Sequence, residues 1–126
     1  MAHKEKTHAG LWIDGKQGLI IGKGDGDDFS VVAKVDLTES QSGGSEHAMN
    51  NGKKTEQGKY FKDLTQHLIS YDEILIFGPG QSQEQLQHHL QDDVQFNNKK
   101  ITIDSSERMT DPQMIAKVRE FFKGRQ

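Results

Sequence analysis

Tyr71 to Gly80 reads YDEILIFGPG. Four consecutive apolar residues, Ile74-Leu75-Ile76-Phe77, are followed by Gly78-Pro79-Gly80, which stops the run. A short apolar run of this kind reads as a strand covered on both faces, the usual state of a strand in a parallel sheet. Such a strand needs helices to cover it, and the segments on either side supply them. Upstream, Tyr60, Phe61, Leu64 and Leu68 fall on one face of a helix. Downstream, Ser82-Gln83-Glu84-Gln85 fits a capping box that opens a second helix. Its apolar stripe is thin (Leu86, Leu90 and Val94), which predicts a surface helix.

Further toward the C-terminus, Lys100-Ile101-Thr102-Ile103-Asp104 reads as another strand. Asp111-Pro112 starts a third helix, with Asp111 as N-cap and Pro112 as the first helical residue. Its predicted buried face is Met114, Ile115, Val118, Phe121 and Phe122, and Gly124 ends it. Toward the N-terminus, Leu11-Trp12-Ile13 ends in Asp14-Gly15, a pair that predicts a type I′ hairpin turn. Gly18 to Gly22 is a second strand, and Lys23 to Asp28 (KGDGDD) a second turn. A third strand alternates, with Phe29, Val31, Ala33 and Val35 on one face and Ser30, Lys34 and Asp36 on the other; Val32 breaks the pattern.

The order is therefore β-β-β-α-β-α-β-α. Right-handed crossovers set the last two strands beside the first. The expected fold is α/β: a mixed five-stranded sheet of order 3-2-1-4-5 with three helices, the ribonuclease H-like layout. Residues 1–9 read as a flexible polar tail and 10–126 as one domain.

The composition narrows the function classes. At 126 residues there is room for one ordinary domain. With no Cys, disulfide scaffolds, thiolate metal sites and thiol nucleophiles are excluded. A net charge of -3 argues against a strongly electrostatic nucleic-acid binder. No apolar run approaches the ~20 residues of a membrane span, and no apolar stretch with a cleavage site follows the charged start, so a cytoplasmic protein is expected.

Several residues are candidates for chemistry. Asp14, at the end of the first strand, stands where a ribonuclease H-like nuclease places a carboxylate for two Mg²⁺ ions, and Asp63 or Glu56 on the first helix would assist. The fourth strand ends in Phe77-Gly78-Pro79 with no acid, which weakens that reading, and Asp14 also reads simply as a turn residue. Gly78-Pro79-Gly80 before a helix offers N–H groups to an anion, yet it lacks the spacing of a phosphate loop and reads more simply as a turn. Asp25, Asp27 and Asp28 read as a solvated turn, and His67, His88 and His89 as surface or boundary histidines. Residues 38–57 (TESQSGGSEHAMNNGKKTEQ) hold only two apolar residues, Ala48 and Met49, and read as a long flexible loop. From 47 to 62 four Lys face one Glu, a local charge of +3. The tip Gly43-Gly44-Ser45, then His47, Lys53, Lys54, Lys59 and Lys62, form a candidate nucleic-acid-binding set, with a solvated insertion as the plainer reading.

The element order, this loop, Ile76-Phe77-Gly78-Pro79-Gly80 and Met109-Thr110-Asp111-Pro112-Gln113, with Ala116 to Phe122, resemble the middle domain of eukaryotic and archaeal-type peptide-chain release factors and of Pelota. Small stand-alone bacterial and archaeal proteins of host-attachment or translational-machinery type are similar. The likeness covers roughly residues 10–124. In the release factors this loop carries a Gly-Gly-Gln tip that promotes peptidyl-tRNA hydrolysis. Here Gly43 and Gly44 match the glycines and Ser45 stands in place of Gln, so the resemblance implies ribosome or RNA association without the usual release chemistry. The leading expectation is a non-enzymatic ribosome- or RNA-associated domain in termination or ribosome rescue, with no cofactor and no bound metal. A degenerate metal-dependent nuclease and a protein-interaction module are the alternatives.

Overall fold

The computed structural model describes residues 7–23, 28–36 and 49–123, with 49–57 by backbone alone. Five strands form one sheet: β1 (His8–Ile13), β2 (Gln17–Lys23), β3 (Phe29–Asp36), β4 (Glu73–Gly78) and β5 (Lys100–Ser105). Three α-helices accompany them: α1 (Met49–Leu68), α2 (Ser82–Gln91) and α3 (Asp111–Phe122), with a 3₁₀ turn at Val94–Phe96. The strand order is β3-β2-β1-β4-β5, antiparallel through the meander and parallel across β1, β4 and β5. The ribonuclease H-like arrangement expected from the element order is the one adopted.

Alternation along the central strands sorts the core into two layers. Leu11, Ile13, Ile20, Ile74 and Ile76 pack against Tyr60, Phe61, Leu64 and Leu68 of α1 and Leu86 and Leu90 of α2. On the opposite face Trp12, Leu19, Ile21, Leu75 and Phe77 pack against Met114, Val118 and Phe122 of α3. Trp12 is buried, its ring edge-on to Phe77 with centroids 5.7 Å apart. Two glycines permit close approach. A Cβ on Gly10 would sit 2.2 Å from Val118 Cγ2, and one on Gly78 would sit 2.0 Å from the Ile13 carbonyl oxygen. Only a residue without Cβ lets α3 settle on β1, and β4 end against β1, without a shift.

Several sequence expectations need correction. Helix α1 begins at Met49, inside the stretch read as loop 38–57. Residues 49–57 carry Lys, Glu and Gln, which favour helix, but almost no apolar residue, so there was no amphipathic period to detect. Strand β1 starts at His8, before the Gly10 boundary, because parallel pairing with Glu73 and Ile74 extends it. In β3 the alternation breaks at a bulge: Ile21 pairs with Val31 and Ile20 with Ala33, leaving Val32 as the extra residue. Phe29 therefore joins the α3 layer, Val35 joins the α1 layer, and Val31 and Val32 are exposed.

The caps also differ. Ser82 forms no capping box; Gln81 is the N-cap of α2 and makes no side-chain cap bond. The capping box lies on α3, where Thr110 Oγ1 accepts from Gln113 N at 3.3 Å and Gln113 Oε1 accepts from Thr110 N at 2.9 Å. Asp111 is thus the first helical residue, not the cap. Helix α2 ends before Val94, which is exposed, while Phe96 fills the core place assigned to it.

Candidate nucleic-acid interface

Asp14 lies just past the C-terminal end of β1. It is 4% exposed, and both carboxylate oxygens are engaged. Oδ1 accepts from the N–H groups of Lys16 (2.8 Å) and Gln17 (2.9 Å); Oδ2 accepts from Arg108 Nη1 (3.2 Å). Gly15 does not take a left-handed φ, so the turn is not type I′. The Asp14 carboxylate gathers the turn N–H groups instead. The Tyr60 hydroxyl donates to the Asp14 carbonyl at 3.1 Å. Burial, then the nearby negative charges of Asp14 and Asp36, push the Tyr60 hydroxyl well above its ordinary pKa.

Asp63 is half-buried on α1 and has an interaction partner. No group of three or more His, Asp or Glu side chains among the described residues comes together as a metal site. The end of β4 is also occupied by structure. The Gly78 carbonyl accepts from Gln83 Nε2 at 3.0 Å and from Ser106 N at 2.8 Å, which ties β4, the start of α2 and the exit of β5 together. Gly78-Pro79-Gly80 is a turn held in this way.

The basic candidates divide by position. Gly43, Gly44, Ser45 and His47 lie outside the described residues. Lys53 and Lys54 fall on the N-terminal half of the α1 backbone, and Lys59 and Lys62 are exposed on its C-terminal half. Tyr60, Phe61, Leu64 and Leu68 anchor the other side of that half to the sheet. From Lys53 to Lys62 the helix advances about 14 Å at ~1.5 Å per residue. The structure thus carries four lysines on one helix, where a loop was expected for the first two.

Sequence reasoning missed three polar residues that the fold uses. Arg108 closes the Asp14 carboxylate, and Gln83 is buried at the strand end. Glu73 is buried beside His8 Nε2 (3.7 Å) and Lys100 Nζ (4.0 Å). Arg108 had no local signal, since its partner is 94 residues away. Glu73 and His8 meet through the parallel register alone.

These features define an α/β domain of ribonuclease H-like layout with four lysines along α1. Two solved structures share its fold. Pelota of Archaeoglobus fulgidus superimposes with a TM-score of 0.63 at 8% identity, covering 95% of this chain and 32% of that one. Pelota of Thermoplasma acidophilum gives 0.58 at 18% identity, covering 95% and 33%. The chain therefore spans about a third of the length of the Pelota proteins it matches. No protein-family profile matches the chain, and no curated protein matches it by sequence. None of the helices among the described residues is long and apolar enough to cross a membrane.

Proposed function

We propose that this chain is a ribosome- or RNA-associated domain acting in translation termination or ribosome rescue, without hydrolytic chemistry of its own. The observation that carries the reading is the fold shared with two Pelota structures over 95% of the chain. The lysines of α1 support it, since a cationic rod on a net-negative protein is a local phosphate-contacting surface. In this reading the sheet and the buried side of α1 are scaffold. The segment leading into α1, with Gly43 and Gly44, supplies reach, and Lys53, Lys54, Lys59 and Lys62 meet phosphates.

The test is co-sedimentation with purified ribosomes over a salt series. Four proteins are compared: wild type, a variant lacking residues 39–48, a variant with the four lysines changed to Gln, and the double variant. Expected is binding that weakens as salt rises and is lost in the double variant. Binding indifferent to both changes would sink the role of this region. No binding at low salt would reduce the Pelota likeness to fold alone.

A further inference from the structure

We propose that β5 pairs with β5 of a second copy of this chain, antiparallel about a two-fold axis at Thr102, so that two five-stranded sheets become one of ten. Strand β5 is an edge of the sheet and pairs with β4 on one side only. Among the described residues no strand covers its other side. The register with β4 runs unbroken from Lys100 to Ser105, and the strand holds no Pro and no bulge, the usual guards of an edge. The opposite edge, β3, is interrupted by the bulge at Val32.

Backbone direction fixes which residues can meet a partner. The Lys100 N–H donates to the Asp72 carbonyl at 3.1 Å, so Lys100 faces β4. By strand alternation Thr102 and Asp104 also direct their N–H and C=O groups at β4, while those of Ile101 and Ile103 point away from the sheet. Centring an antiparallel pair on Thr102 sets Ile101 opposite Ile103 of the second copy as a hydrogen-bonded pair, and the reverse by symmetry.

The same register matches charge. Lys100-Ile-Thr-Ile-Asp104 is self-complementary when reversed, so each Lys100 lies opposite an Asp104 of the other copy. The Lys100 side chain is 67% exposed and that of Asp104 49%, both on the α3 side of the sheet. Within one copy Glu73 lies 4.0 Å from Lys100 and Lys117 2.9 Å from Asp104, so the pairing completes a row Glu73, Lys100, Asp104, Lys117 of alternating sign. Moving the axis to Ile101 or Ile103 keeps the outward groups facing but forfeits both charge pairs. The helices also fit. Helix α2 packs on both β4 and β5. With strands ~4.8 Å apart, the two α2 helices would lie about 10 Å from each other, an ordinary packing distance.

Sedimentation equilibrium on the full chain over a concentration series tests this. A monomer–dimer equilibrium is expected for the wild type. Lys100→Glu and Asp104→Lys each place like charges across the axis, and each should weaken the dimer at least about tenfold. The double variant K100E/D104K restores opposite charges across the axis and should bind at least about threefold more tightly than either single variant, while Glu73 and Lys117, now beside like charges within each copy, keep it weaker than wild type. A chain that stays monomeric up to about 0.5 mM overturns the proposal. So does a dimer insensitive to either single change, or one no tighter in the double variant than in the single variants. Hydrogen exchange on the wild type gives a check that needs no variant: the amides of Ile101 and Ile103 should gain protection with concentration, and unchanged protection there would equally overturn it.

Discussion

The two faces of the sheet are built differently. One is closed by two helices with a layer of Leu and Ile: Leu11, Ile13, Ile20, Ile74 and Ile76 under Leu64, Leu68, Leu86 and Leu90. The other is closed, among the described residues, by α3, and rings do much of the filling. Trp12 meets Phe77 edge-on, and Phe122 stacks on His8 at 4.5 Å and on Phe29 at 6.0 Å. Ion pairs then pin α3 at both sides, Arg119 to Asp28 and Lys117 to Asp104. A single helix covers a face when bulky rings fill the space and its two sides are fastened. Two helices share the same task with a layer richer in branched aliphatics, held to the sheet by the bonds of Tyr60 to the Asp14 carbonyl and Gln83 to the Gly78 carbonyl.

The largest expected effect tests the rings. Phe77→Ala should cost about 3–5 kcal/mol, and Leu64→Ala about 2–5 kcal/mol on the other face. Denaturant unfolding followed by Trp12 fluorescence measures both, and a larger loss for Leu64→Ala would break the contrast.

Glycine positions sharpen it next. Gly10→Ala drives a methyl into stiff, β-branched Val118 and should cost about 1–3 kcal/mol, partly relieved by adding Val118→Ala. Gly18→Ala meets the far end of Leu64, at 2.7 Å from Cδ2, and should cost less because that side chain can swing. Equal costs, or no relief in the double variant, would show that α3 is not held by this contact.

Caps come third. Thr110→Ala removes the capping box of the one helix that covers its face among the described residues and should cost about 1 kcal/mol. Ser82→Ala should change thermal stability little, since α2 makes no side-chain cap bond.

Acid gives the smallest effect. The hydrogen bonds from Arg119 hold Asp28, and the bond from Lys117 holds Asp104, below the usual carboxylate range. A lowered folded-state pKa stabilises above the unfolded value of 3.8 and loses that contribution as pH falls through the folded value. Both pairs fasten α3, so near-UV circular dichroism of Trp12 should change before far-UV signal as pH drops below 4, and less so in high salt. Simultaneous loss of the two signals would refute a separate loosening of that face.

Legibility followed the same physics. The strands and the buried sides of all three helices were readable because burial writes a period into the chain: Ile74 to Phe77 without interruption, and Tyr60, Phe61, Leu64 and Leu68 at helical spacing. What lacked a period was missed. The first turns of α1 carry no stripe, so they read as loop. The bulge at Val32 showed only as a break in alternation, although that break was the correct signal. Of the candidate site, the lysines were legible as a charge run, and the helical placement of Lys53 and Lys54 was not. Arg108, which closes the Asp14 carboxylate, and the partners of Glu73 come from distant strands and loops, where no local pattern reaches.

The parallel pairing of β1 with β4 has a bearing on how the protein emerges from synthesis. Thr7 and Asp72, which bond where these strands begin, are 65 residues apart. The meander can zip by short turns as soon as it is made, but β1 then has one edge bare until β4 arrives. At ~5–20 residues per second that interval lasts about 3–13 s. During it the apolar Leu11-Trp12-Ile13 segment lacks its closing strand, and a destabilised meander would be exposed to premature association before the domain can finish itself.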